Sequence, residues 1–177
     1  MTPRGGWVPP VLFGVIDVRS RLLCHLQWYL DAENAQDVAH GILQALLRRG
    51  LPRAVLSDNG TAMCAAEITE AFARLSILHD TTLSFSPYQN AKIEALWTTV
   101  EGQLLAMLES VTDLTLEFLN EATQAWAEFG YHRTIHSETG ETPLACWAAG
   151  PDVLRPSPDG AALRLTKNLP VASGIGG

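Results

Sequence analysis

The chain has 177 residues, a formal net charge of −7 and 47% apolar residues. That suits one folded domain plus a tail, and it excludes both a chain disordered throughout and a stand-alone basic DNA-binding module. No apolar run approaches the roughly 20 residues of a membrane helix, residues 1–7 lack the apolar core of a secretory leader, and three cysteines without CxxC spacing fit a reduced, cytosolic setting.

In chain order, the apolar runs Val11–Val18 and Leu22–Leu30 flank Arg19-Ser20-Arg21 and predict a β-hairpin, its first strand buried on both faces. Asn34 is the N-cap of a helix to about Arg49, with Val38, Ile42, Ala45 and Leu46 on one face, and Gly50 stops it. Arg53–Ser57 is a short strand, Asp58-Asn59-Gly60 a turn, Glu67–Leu75 a helix and Ile77–Thr81 a strand. Ser84–Asn90 is a loop. Ala91 to about Glu109 is a long helix whose inner stripe is Ile93, Leu96, Trp97, Val100, Leu104 and Leu108. Leu116–Tyr131 is a further helix, with Phe118, Leu119, Ala122, Ala125, Trp126 and Phe129 facing inward. Residues 1–150 form the domain, and 151–177, rich in Pro and Gly, a tail or linker. Alternating strands and helices with a helical C-terminal half make the class α/β.

Two carboxylates carry the functional argument. Asp58 ends a strand, Glu94 opens a helix, and thirty-five residues lie between them. Hard divalent cations take oxygen ligands, and carboxylates supply charge as well. Mg²⁺ or Mn²⁺ sites of this kind, with two ions about 4 Å apart, serve phosphoryl transfer. Taken singly, each acid has a plainer role: an Asp before Asn-Gly forms turns, and a Glu in a first helical turn faces the helix dipole.

The words around the two acids are more specific. Leu56-Ser57-Asp58-Asn59-Gly60, followed by Ser86-Pro87-Tyr88-Gln89-Asn90-Ala91-Lys92-Ile93-Glu94, resembles the second and third acids of a DDE transposase or retroviral integrase catalytic core. Gly14-Val15-Ile16-Asp17-Val18-Arg19-Ser20-Arg21 resembles the family's second strand and the turn after it. Tyr131-His132-Arg133 with His136, then Gly140-Glu141-Thr142-Pro143-Leu144, resembles the segment that closes these cores. The resemblance covers about residues 8–150 and is closest to bacterial insertion-sequence and Mu-like transposases. It implies a ribonuclease-H-like mixed sheet flanked by helices, and metal-dependent DNA cleavage and strand transfer in the bacterial cytosol. It also implies Asp58 and Glu94 as metal ligands, DNA ends and target DNA as partners, and a homo-oligomer.

In that family the first catalytic Asp lies on an earlier strand, whereas residues 1–10 contain no acid. The expectation is therefore an N-terminally truncated core, with Asp17 matching a non-catalytic acid. Asp17 is a surrogate ligand only if Val11–Val18 takes the first strand's place. Lys92, Asn59 and Asn90 are the candidate DNA contacts; no Lys or Arg lies between Lys92 and Arg133, and residues 111–150 hold six acids and one basic residue. Two further readings stand beside the enzyme: a non-catalytic remnant that assembles with complete transposases, and a ribonuclease-H-like nuclease outside transposition. His132 and His136 with Cys146 lack a fourth zinc ligand, so the histidines are expected to face solvent or cap a helix. Arg19 and Arg21 are expected on the solvated surface, and Ser57 has no evident His partner for nucleophilic chemistry.

Overall fold

The computed structural model describes residues 9–30, 34–81, 87–151 and 155–156, with the backbone alone for 87–90. The chain divides into two compact units, Met1–Ala32 with Thr82–Asp152 and Glu33–Thr81 with Val153–Gly177.

The first unit begins with the expected hairpin. Strands β1 (Val11–Ile16) and β2 (Leu23–Tyr29) pair antiparallel, Val11 opposite Tyr29 through Val15 opposite His25, with a bulge before Ile16. β2 starts fully buried. β1 is half-buried along its whole length, not enclosed on both faces, because only β2 flanks it among the described strands.

The long helix starts at Pro87, one turn earlier than expected. α3 (Pro87–Thr99) runs into a π-helical segment, Val100–Leu105, and then α4 (Ala106–Leu108). Proline is well suited to a first helical turn, where its missing N–H has no helical partner to lose. Residues 84–86 of the expected loop lie outside the described residues. The buried row Leu96, Val100, Leu104 and Leu108 repeats every fourth residue. On a regular α-helix such a row drifts about 40° round the axis per step. The wider π turn rotates it back, and the row stays on one core with Leu23, Leu26, Leu119 and Trp126.

α5 (Leu116–Ala125) is capped by Thr115, whose hydroxyl accepts from Phe118 N–H. It continues as a π segment, Trp126–Gly130, and a 3₁₀ turn, Tyr131–Arg133. Leu119 and Trp126 are buried as expected, but Phe118 is 41% and Phe129 75% exposed, and Ala125 is exposed too. Phe129 lies within the π segment, where the turn changes the phase; Phe118 and Ala125 precede it on regular helix, one position round from the buried Leu119 and Trp126. α6 (Pro143–Ala148), capped by Thr142, closes the unit.

Side chains of the helical half seal the outer edge of β2. Asn120 accepts from Trp28 N–H at 2.7 Å and donates to Trp28 C=O at 3.1 Å; Gln124 donates to Leu26 C=O at 2.5 Å; His132 Nε2 accepts from Leu23 N–H at 3.1 Å. These bonds stand where a third strand would pair.

In the second unit, α1 (Ala35–Arg49) is capped by Asn34, which accepts from Asp37 N–H, and ends at Gly50 with φ 90°. Strands β3 (Ala54–Ser57) and β4 (Leu78–Thr81) pair parallel on either side of α2 (Ala66–Arg74) in the chain. Arg155, in the stretch expected to be a tail, bridges Leu51 in both directions and donates to Ser76 C=O. Residues 157–177 lie outside the described residues. The whole is α/β, with one antiparallel and one parallel strand pair.

Replacing Asn120 by Ala leaves two backbone groups of Trp28 without partners. The expected cost is about 1–3 kcal/mol of unfolding free energy, measured by urea denaturation. A neutral result would show that water replaces the amide at no cost.

Candidate functional site

Asp58 follows the last residue of β3, on the exposed rim of the second unit. Its Oδ1 accepts from Gly60 N–H at 3.1 Å, the turn-forming bond that Asp-Asn-Gly predicts. Oδ2 has no hydrogen bond among the described residues. The peptide beneath it is braced. Ser57 Oγ donates to Asp58 C=O at 2.9 Å and lies 2.9 Å from His79 Nε2 on β4. A hydroxyl has one proton. With that proton on the Asp58 carbonyl, His79 Nε2–H donates to Ser57. Ser57 therefore does have a His partner, contrary to the sequence expectation; when its proton goes to the Asp58 carbonyl, the hydroxyl has none to give the imidazole. In the sequence, twenty-two positions separate the two; only the parallel register of β3 and β4 reveals the pair.

Glu94 lies two turns into α3 in the first unit, not in its first turn, since the helix begins at Pro87. The dipole-partner role is therefore removed, because that effect fades within one turn. The side chain is exposed and makes no hydrogen bond or ion pair among the described residues. It shares an exposed ridge with Thr98, Glu101 and Leu105. Lys92 is half-buried, and its charge helps hold the Glu138 carboxyl below its ordinary range. The side chain of Asn90 lies outside the described residues; Asn59 is exposed.

Asp17 is engaged in the hairpin turn. Its Oδ2 accepts from both Ser20 N–H at 2.7 Å and Ser20 Oγ at 2.6 Å, and its backbone bonds Arg21 and Leu22. Of the turn's two arginines, Arg19 is exposed as expected and only Arg21 is not. Arg21 is 5% exposed with φ 66°, and its guanidinium binds Glu138 and the Val18 carbonyl. Arg19 donates to Cys146 C=O at 2.7 Å. The turn thus clamps the segment that precedes and includes α6. His132 is 1% exposed, not solvent-facing, because Nε2 is the acceptor for β2. Burial pushes the neighbouring Tyr131 hydroxyl up to about 12, with Arg21 pulling it the other way.

The two carboxylates fit a hard cation in kind. Mg²⁺ is commonly held by one or two carboxylates, with water and phosphate oxygens completing its shell. Asp58 and Glu94 each present carboxylate oxygen to solvent. Neither unit gathers three His, Cys, Asp or Glu side chains able to hold a metal among the described residues, so His132, His136 and Cys146 make no zinc site there.

No family model matches the sequence, and no curated protein is similar to it in sequence. Solved structures do share its fold. The chain superposes on the bovine immunodeficiency virus integrase catalytic core with a TM-score of 0.60 at 20% identity, over 80% of this chain and 88% of that one. The HTLV-2 integrase catalytic core, solved in a trimeric form with magnesium, gives 0.57 at 17% identity, over 80% and 98%. A chain of the simian T-cell lymphotropic virus intasome, solved with a PP2A regulatory subunit, gives 0.60 at 16% identity over 87% of this chain, which spans 59% of the length of that one. The fold is that of an integrase catalytic core.

Arg21 holds the Glu138 carboxyl below its ordinary 4.5, by hydrogen bond first and by charge second. A depressed folded pKa means stability that is fully present above 4.5 and lost as pH falls through the folded value. The stability difference between the chain and Glu138→Gln should therefore shrink as pH falls from neutral to below the carboxylate range. Urea midpoints across that range check it; a difference independent of pH would sink the ion-pair account.

Proposed function

We propose that this chain carries part of the catalytic centre of a DNA-cleaving and DNA-joining protein of the DDE transposase and integrase kind. Asp58 and Glu94 each supply a carboxylate to Mg²⁺ or Mn²⁺. The observation that carries the proposal is the integrase-core fold, in a chain whose Asp58 and Glu94 stand thirty-five residues apart within the motif words quoted above. Bound there, such an ion would activate a water or a 3′-hydroxyl and stabilise the leaving oxygen. Asp58 suits the role because one oxygen is fixed by Gly60 while the other has no hydrogen bond among the described residues. Glu94 suits it because nothing among the described residues engages its carboxylate.

The finer reading is a bacterial insertion-sequence or Mu-like transposase working in the cytosol as a homo-oligomer on transposon ends and target DNA, with Lys92, Asn59 and Asn90 near the phosphates. A third carboxylate is required for a two-ion centre. Asp17 is a poor source, because turn bonds already occupy its Oδ2.

One observation favours a second reading. The net charge of −7 opposes a DNA polyanion, which suits a non-catalytic partner of complete transposases.

Calorimetric titration with Mn²⁺ distinguishes the two. The catalytic reading expects binding that weakens about tenfold or more in Asp58→Asn or Glu94→Gln, a loss no smaller than that of an outer-shell partner. Heat indistinguishable between the chain and the double variant would refute the metal assignment and leave the non-catalytic reading.

A further inference from the structure

An open groove of about 510 Å³ runs between the two long helices of the first unit. Gly102, Gln103, Ala106 and Met107 line one side, and Trp126 and Gly130 the other. Both sides include π-helical turns, Val100–Leu105 and Trp126–Gly130, and turns of this kind recur at functional sites. Trp126 Nε1–H donates to Gln103 Oε1 at 3.3 Å, which ties one side to the other. The groove is therefore preformed.

Its surroundings are apolar and exposed. Met107 is 65% exposed and Phe129 75%. Phe129 and the exposed Ala125 stand one position round the helix from Gly130 and Trp126. Apolar side chains gathered at one place on a surface mark interaction sites, whereas scattered ones do not. Gly102 adds a second sign. Its φ is not positive, and a Cβ there would meet nothing within 4 Å among the described residues. Neither the backbone nor packing within the chain calls for glycine, yet glycine weakens a helix relative to alanine. What it provides is a floor low enough for another backbone to approach closely.

Charge selects the occupant. Between Glu94 and Arg133 the chain holds six acids, Glu101, Glu109, Asp113, Glu117, Glu121 and Glu128, and no Lys or Arg. Glu109 stands one turn from Ala106 and Glu121 one turn from Ala125, and both acids are exposed. A second copy would set these acids against themselves across a two-fold axis, and a nucleic acid would bring phosphates to them. We propose that the groove binds an amphipathic helix of a partner protein, its apolar face on Gly102, Met107 and Phe129 and its Lys or Arg flanks beside the acids. Helix-in-groove recognition has this form: side chains at i, i+3 or i+4, and i+7 enter an apolar channel. Complementary charge at the rim then selects the partner and speeds its arrival. None of these residues is a candidate metal ligand, so the groove and the metal site stand or fall separately.

The test uses a labelled synthetic peptide of about 14 residues, long enough for a helix, with Leu on one helical face and Lys on the other. Fluorescence anisotropy with the full chain should show saturable binding, and a peptide with Glu for every Lys should not bind. Gly102→Leu fills the groove, changes no charge and meets nothing in the folded chain; it should weaken binding about tenfold or more. Met107→Ser removes an exposed apolar wall, so it should fold normally and also weaken binding. Circular dichroism identifies the folded variants, and Met107→Ser decides the matter if Gly102→Leu does not fold. Reversing Glu109 and Glu121 together to Lys should weaken binding as well. A chain that does not bind the Lys peptide overturns the proposal. So does binding that the charge reversal weakens but folded Gly102→Leu and Met107→Ser leave unchanged, because that is adhesion to an acidic surface and not occupancy of the groove.

Discussion

Much of the first unit depends on how β2 finds partners for its outer backbone groups. A two-stranded sheet leaves half of each strand's polar groups without a ladder, and burying them unpaired costs more than one bond is worth. β2 begins fully buried, so water cannot serve its first residues. Asn120 and Gln124 on α5, and His132 just after its π continuation, supply the missing partners. Only when α5 lies along β2 at the right rotation can all three reach. The same bonds therefore fix the helix, and the helix carries Leu119 and Trp126 into the core.

A second tie runs from the hairpin turn to the end of the unit. Asp17 shapes the turn through Ser20. The turn holds Arg21 at a positive φ, and Arg21 and Arg19 grip Glu138 and the Cys146 carbonyl. A left-handed backbone at a non-glycine residue is uncommon and carries strain. The bonds of its guanidinium offset that strain here. The Asp17–Arg21 turn and the segment holding Glu138 and Cys146 are far apart in the chain, yet one structural knot uses both.

Periodicity made the elements of both units legible: the hairpin, α1 with its Asn34 cap, β3, α2, β4 and the long helix all stand within a few residues of where the spacing puts them. Periodicity also explains the misses. Phe129 follows a regular wheel inward, but the π segment at Trp126–Gly130 breaks the phase, and no propensity announces a π turn; Phe118, on regular α5, is exposed because the buried row runs through Leu119, Thr123 and Trp126. Arg21, His132 and the Ser57–His79 brace were missed for another reason. Their partners lie 117, 109 and 22 positions away, and a polar residue in one sequence does not declare its tertiary partner. The candidate ligands Asp58 and Glu94 were legible only through the words around them. As single acids, nothing in composition distinguishes them from other exposed carboxylates.

Turn-former and metal ligand are not competing descriptions of Asp58. A carboxylate used in a turn gives up one oxygen and gains a fixed side-chain torsion. The second oxygen then points in a direction set by the backbone, and that backbone is itself held by Ser57 and His79. A ligand held this way loses less conformational freedom when a cation arrives than one on a mobile loop. Asp17 shows the opposite arrangement: one oxygen takes two donors at 2.6 and 2.7 Å, and pulling it toward a metal would undo the turn that positions Arg21. Physical chemistry thus separates the two aspartates by what each would have to give up. Asp58 can accept a cation without losing any bond it makes now.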